Sequence, residues 1–266
     1  MLDPLGVPPK GFSPTNECLH VVLMPGLPMF IKEVIFRLDF KQSPNLTKDL
    51  LEKIRETLKG EFPDIENQSI FTVELGVQQT ERVLKEKTSP VVVLLNKKTN
   101  NRMIFEPNAL SFDIASYENY TKFREIVNVV ISSMLANNSS VQVSRTGLRY
   151  INQISLPEGN PFEWSNEITD ELRCGLGFPE LRSNLLRAMG VWEFDQDDCR
   201  VKFQYGMFNS EYPNRISKKE FALDYDCYCT DEGPLTSVLS NMDRFHKIIK
   251  GLFDRSIGDE LKKESE

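Results

Sequence analysis

Residues 32–40 read KEVIFRLDF, with Val34, Phe36 and Leu38 alternating against Ile35, Arg37 and Asp39. Period-two alternation of this length specifies a strand with one buried face. Pro44-Asn45-Leu46-Thr47 then opens a helix. Leu50, Leu51, Ile54 and Leu58 repeat at helical spacing, and Gly60 closes it. Three further strand candidates follow at 70–78, 90–95 and 102–117, the last with a kink expected at Pro107. Lys97-Lys98-Thr99-Asn100-Asn101 reads as the turn between the second and third of these. Residues 120–136 form the clearest helix of the chain, because Phe123, Ile126, Val127, Val130, Ile131, Met134 and Leu135 make a wide apolar face.

The order then repeats. Residues 141–156, VQVSRTGLRYINQISL, read as a strand, and 164–174 as a helix candidate. Strand candidates lie at 185–194, 200–208 and 219–229, joined through the turn-rich stretches 195–198 and 209–217. Residues 235–253 are a long helix with Leu239, Met242, Phe245, Ile249, Leu252 and Phe253 on one face, before a short charged tail. The expected fold is therefore α+β, made of two tandem βαβββα-like units, 31–140 and 141–266, behind an extended N-terminal arm over 1–30. The two units are offset by roughly 115–120 residues. Only 18–24 (CLHVVLM) is strand-like within the Pro- and Gly-rich arm. Each unit is expected to be an antiparallel sheet with helices on one face, the pair leaving a groove on a pseudo-twofold axis.

Of the 266 residues, 40% are hydrophobic and 27% charged, which describes a globular chain. A net charge of −7 repels phosphate backbones, so nucleic acid is a disfavoured partner. No run approaches the ~18 apolar residues of a membrane helix. The opening MLDPLGVPPKGF has an early acid, several prolines and no apolar core, so no secretory leader is expected. Five cysteines, an odd number without such a leader, read as reduced thiols in a cytoplasm. The glycosylation-like triplets beginning at Asn45, Asn67, Asn119, Asn137 and Asn138 carry no weight in that compartment.

Four segments carry a resemblance: 27–40 (LPMFIKEVIFRLDF), 145–154 (RTGLRYINQI), 221–228 (FALDYDCY) and 243–257 (DRFHKIIKGLFDRSI). They lie in order and span nearly the whole chain, and RxGLRYIN is the most specific. The chain resembles a sporadically distributed prokaryotic family of about this length that has no established function. The resemblance implies a prokaryotic cytosolic protein, and it supplies no activity, cofactor or catalytic residue.

The 145–152 strand is the strongest site candidate. Arg145, Gly147, Arg149 and Ile151 share one face, while Thr146, Leu148, Tyr150 and Asn152 share the other, with Leu148 and Tyr150 pointing inward. Two guanidinium forks standing over Gly147 can grip a carboxylate or phosphate. The alternative is structural pairing with Asp39, Asp224 or Asp226. Glu220, Asp224 and Asp226 lie at period-two spacing on one strand, suited to acid–base work or Mg²⁺, or simply to a solvated or Arg-paired face. Cys227 and Cys229 share a strand face without further ligands at zinc spacing, and read as buried thiols. His246, on the apolar face of its helix, is either a switch or base or a hydrogen-bonded core histidine. Gly175-Leu176-Gly177 lacks the third glycine and the strand–helix context of a dinucleotide loop.

No cofactor, metal ligand set or catalytic group is assigned. The expectation is a non-enzymatic binding or regulatory protein. It would recognise a protein partner, or itself, through Arg145, Arg149, Tyr150, Asn152, Asp224, Asp226 and His246. A genetically linked partner of the defence or toxin–antitoxin kind is its narrowest form. The alternative is an enzyme with Arg149, Asp224 or Asp226 and His246 converging in a groove.

Overall fold

The computed structural model describes residues 30–78, 81–173 and 178–264. The expected arm over 1–30, with its strand at 18–24, falls outside the described residues apart from Phe30, as does the Gly175-Leu176-Gly177 loop.

The first half runs β1 (Ile31–Phe40), α1 (Lys48–Thr57), β2 (Asp64–Gln78), β3 (Glu81–Asn96), β4 (Asn101–Glu106), β5 (Ala109–Ile114) and α2 (Tyr120–Leu135). The second runs β6 (Gln142–Leu156), α3 (Asp170–Arg173), β7 (Ala188–Gln196), β8 (Cys199–Met207), β9 (Lys219–Cys229), β10 (Gly233–Pro234), α4 (Val238–Ser256) and α5 (Asp259–Glu264). Side-chain caps start the two first-half helices. Thr47 accepts from the Leu50 amide at α1, and Asn119 accepts from the Lys122 amide at α2.

All the strands join one antiparallel sheet in the order β2-β3-β4-β5-β1-β6-β9-β8-β7, with β10 added beside the start of β6. β1 and β6 lie next to each other in its middle. Val34, Phe36 and Leu38 of β1 stand opposite Tyr150, Leu148 and Thr146 of β6, and all six are buried. All but Thr146 share one continuous core with Leu50 and Ile54 of α1, Phe123 and Val127 of α2, and Phe245 and Ile249 of α4. The alternation read in 32–40 thus becomes an inner face under helices and an outer face left to Glu33, Ile35, Arg37 and Asp39, all half-buried. Among the described residues no helix is long and apolar enough to cross a membrane.

Two expected elements need correction. The single kinked strand over 102–117 is two strands, β4 and β5, paired as a hairpin whose turn holds Pro107 and Asn108. Proline cannot donate to a ladder, and here it ends the pairing rather than bending it. The first half therefore has four strands between its helices. Among the described residues, the helix expected over 164–174 exists only as α3. Its upstream backbone bonds elsewhere: Ile168 bridges Ile257, and the Thr169 amide donates to the Ser256 carbonyl. Trp164 is buried against Phe221 with its indole N–H on the Pro161 carbonyl. Contacts with the end of α4 outcompete the local helix.

Phe36 is fully buried at the centre, 6.2 Å from the Phe112 ring, which in turn meets Phe123 of α2 edge-on. Phe36→Ala should lower unfolding free energy by about 3–5 kcal/mol in urea denaturation. Ile70→Ala, at a side chain 41% exposed on β2, should change it by no more than about 0.5 kcal/mol. Equal effects would contradict the assignment of the two faces.

Candidate functional site

Opposed residues of neighbouring antiparallel strands lie on the same face, so the sheet register alone builds the outer surface. One row runs Arg102, Asp113, Ile35, Arg149, Asp226, Lys202, Glu193, crossing β4, β5, β1, β6, β9, β8 and β7. Apart from Ile35, its signs alternate from end to end. Each charge faces its opposite on the next strand, which is the favourable cross-strand arrangement.

Arg145 and Arg149 stand in the middle of this face, and each is already engaged. Arg149 grips Asp224 with both ends of its fork, Nε to Oδ1 at 2.8 Å and Nη2 to Oδ2 at 2.6 Å. Gln204 donates to the same carboxylate at 3.3 Å. The hydrogen bond to Asp224 raises the Arg149 pKa. Arg145 reaches Asp226 at 3.6 Å and lies 4.7 Å above the Tyr228 ring. The space over Gly147 is not open: a Cβ there would sit 3.1 Å from the Arg145 guanidinium and 3.2 Å from the Tyr228 Cβ. The glycine lets Arg145 fold flat across the strand. Burial pushes the Asp226 carboxyl above the usual range, against the pull of Arg145 and Arg149. Beside them, Arg37 bridges Asp39 at 2.9 Å and Glu106 at 3.2 Å. The third acid of the β9 series behaves differently. Glu220 is buried under the 209–217 loop and accepts from the Ser210 amide and hydroxyl at 2.8 and 2.7 Å.

Tyr150, Asn152 and His246 lie on the other side of the sheet. His246 of α4 stacks on Tyr120 of α2, with ring centroids 3.7 Å apart and planes 2° from parallel. Its Nδ1 is 3.1 Å from the Tyr150 hydroxyl, which lies 3.2 Å from that of Tyr117. Tyr120 donates to Asp243 at 2.5 Å, and Arg124 holds both oxygens of that carboxylate at 2.7 and 2.9 Å. These residues join α2 to α4 on the face of the sheet that carries Tyr150. Burial raises the Tyr117, Tyr120 and Tyr150 hydroxyls well above their ordinary pKa. Asn152 donates to the Leu223 carbonyl at 3.0 Å, while its buried Oδ1 has no hydrogen-bond partner among the described residues. With Tyr150 and His246 it lines a cavity of about 10 Å³, the space of one water.

The seven candidates therefore divide between two faces. The groove in which Arg149, Asp224 or Asp226 and His246 converge does not form, because the sheet separates the histidine from the carboxylates. His246 is hydrogen-bonded to Tyr150 and half-buried at the edge of the core. Cys227 and Cys229 are buried free thiols with Cys199 beside them, and burial raises all three pKa values. Among the described residues no cluster of three or more His, Cys, Asp or Glu side chains can hold a metal ion.

Tyr117, Tyr120, Arg124 and Asp243 are not among the sequence candidates, although a signal for three of them exists. Tyr120 and Arg124 are four apart on one helix, and Asp243 and His246 three apart on another, spacings that place each pair on one helix face. The ion pair of Lys219 with Glu167, at 2.6 Å and with both side chains 10% exposed, had no local signal. Comparison with known proteins finds no family model that matches the chain and no match among curated proteins.

Burial, reinforced by Lys250 and opposed by Asp243, lowers the His246 pKa to about 4. The unfolded chain, with a histidine pKa near 6.5, then binds the proton first as pH falls. Stability tied to neutral His246 is complete above pH ~6.5 and declines towards pH ~4, by about 3 kcal/mol in all. Urea midpoints measured across this range should fall less steeply in His246→Phe than in the unsubstituted protein. Identical slopes would show that His246 does not titrate differently on folding.

Proposed function

We propose that the chain is a non-enzymatic binding protein that recognises a protein partner through the bare face of its sheet, around Arg145 and Arg149. The observation that carries this reading is the alternating charge row on a sheet whose helices, among the described residues, pack on the opposite side. Arg149 is 37% exposed and Arg145 28%, so both guanidiniums remain within reach of a partner's carboxylate without leaving their own acids. A fixed alternation of sign contributes register and discrimination against wrong partners more than raw affinity. Interspersed acids make the face a poor match for a polyanion, which favours protein over nucleic acid. The half-buried Ile35 and Ile151 provide apolar area between the charges.

The strand order supports a finer architectural reading. In each half the first strand lies innermost and pairs with the last strand of the meander, while the others run outward in reverse: β1-β5-β4-β3-β2 and β6-β9-β8-β7. We read these as two copies of one unit, 31–140 and 141–266, related by a pseudo-twofold axis between β1 and β6. The first copy has one extra strand, and the helix after β6 is reduced to α3. On this reading Arg145 and Arg149 flank the axis, where the copies meet. Residence in a prokaryotic cytoplasm, and kinship with the family that the RxGLRYIN segment resembles, are proposed on the sequence segments alone.

The test is purification of the tagged chain with its stoichiometric partner, alongside Arg145→Glu/Arg149→Glu and the milder Arg145→Gln/Arg149→Gln. With circular dichroism unchanged, the reversal should abolish co-elution and the neutral pair should weaken it at least about tenfold. Full retention of the partner by both folded variants would overturn the reading.

A further inference from the structure

The outer edge of β7 is a second surface, independent of the Arg145/Arg149 face. β7 ends the sheet, and among the described residues its only strand neighbour is β8, with an unbroken register over its whole length. Edge strands are ordinarily blunted by proline, lysine, a bulge or shortness. β7, nine residues reading AMGVWEFDQ, has none of these, and its two charged side chains, Glu193 and Asp195, lie on a single face. It also carries exposed apolar side chains: Met189 is 44% exposed, Val191 55% and Trp192 43%. Leu186, Leu181 and Phe178, just before it, are exposed as well. Beyond this region and the nearby Tyr212, the exposed large apolar side chains among the described residues are Ile65 and Ile70 of β2.

We propose that β7 pairs antiparallel with β7 of a second copy of this chain, about a twofold axis at Val191, fusing the two sheets into one. The occupant follows from the strand's self-complementarity. A twofold axis normal to the sheet keeps each residue on its own face, so only same-parity residues can oppose each other. Centring on Val191 sets Val191 against its own copy. Trp192 then falls opposite Gly190, and Phe194 opposite Ala188, large against small on both sides. Gly190 is roofed by the Tyr205 ring, which a Cβ there would meet at 2.6 Å, so the copy's Trp192 finds an aromatic surface. Trp192 already packs edge-on against Phe203 and Tyr205 at 5.8 and 5.1 Å. On the face that carries Val191, exposed Arg187 falls opposite exposed Asp195 of the copy, a complementary pair formed twice by exchange of their present contacts with the Phe208 carbonyl and Arg200. Centring on Glu193 instead would set two carboxylates face to face.

The test is light scattering on the eluting peak of the full chain, with hydrogen exchange of the β7 amides. The unsubstituted protein should elute at twice the 30.6 kDa chain mass with β7 amides protected. Val191→Lys, which sets two ammonium groups against each other on the axis, should elute as a single chain with β7 exchanging fast. Asp195→Arg should raise the dimer dissociation constant at least about tenfold, and Arg187→Asp/Asp195→Arg should restore it. A single-chain mass for the unsubstituted protein overturns the proposal, and protected β7 amides in that case would assign the edge to the chain's own residues outside the described set. A dimer that neither Val191→Lys nor Asp195→Arg weakens also overturns it, because the copies would then meet elsewhere.

Discussion

The antiparallel pairing of β1 with β6 is the contact on which the rest of the molecule depends. Seven consecutive positions of β1, from Glu33 to Asp39, face β6 without a break. Backbone hydrogen bonds there contribute about 0.5–1.5 kcal/mol each. Burying Val34, Phe36, Leu38 or Leu148 contributes about 1.5–3 kcal/mol apiece. The side chains beneath the seam therefore supply most of its stability, and the hydrogen bonds align it. A slip of one residue would turn Arg37 and Asp39 into the core and Phe36 out to solvent, a cost of several kcal/mol per charge. That penalty is what ties the register of nine strands to one central pair.

The same alternation separates two kinds of polar chemistry. On the helix side of the sheet, the Tyr117–Tyr150–His246 chain is sheltered, and with the half-exposed Arg124–Asp243 pair it ties helix to helix. There a lost partner leaves a buried group unsatisfied, which costs more than the bond itself contributes. On the other face, the Arg149 and Arg37 side chains are 37% and 38% exposed while Asp224 is only 13% exposed, so the arginines rather than the acids are within reach of a partner. Tyr150 and Arg149 are adjacent in the chain, yet one helps to lock the core and the other is available at the surface.

Most of the fold was legible because its signals are local. The period-two alternation of β1 and the helical stripe of α2 located those elements to within a residue or two, and 219–229 coincides with β9. Local signals fail where distant backbone intervenes. Trp164 to Thr169 reads as helix on its own, but it keeps only one helical turn, Ile168 N–H to the Trp164 carbonyl, before Thr169 donates to Ser256 and Ile168 bridges Ile257. The site divides in the same way. Strand parity placed Arg145 and Arg149 opposite Leu148 and Tyr150 correctly. The filling of the space over Gly147 depends on Tyr228, which lies beside it only through the β6–β9 pairing. The side of the sheet on which His246 lies depends on how α4 crosses, and no residue near His246 encodes that.

The seam also sets an order of events during synthesis. β1 leaves the ribosome ahead of β6 and finds β5 within its own half, but its other edge stays bare until β6 emerges. That is roughly a hundred residues later, on the order of ten seconds at ordinary elongation rates. Tyr150 then waits longer still for α4, near the end of the chain, to supply His246. For that interval the nascent first half exposes an apolar strand edge, the kind of surface that chaperones hold.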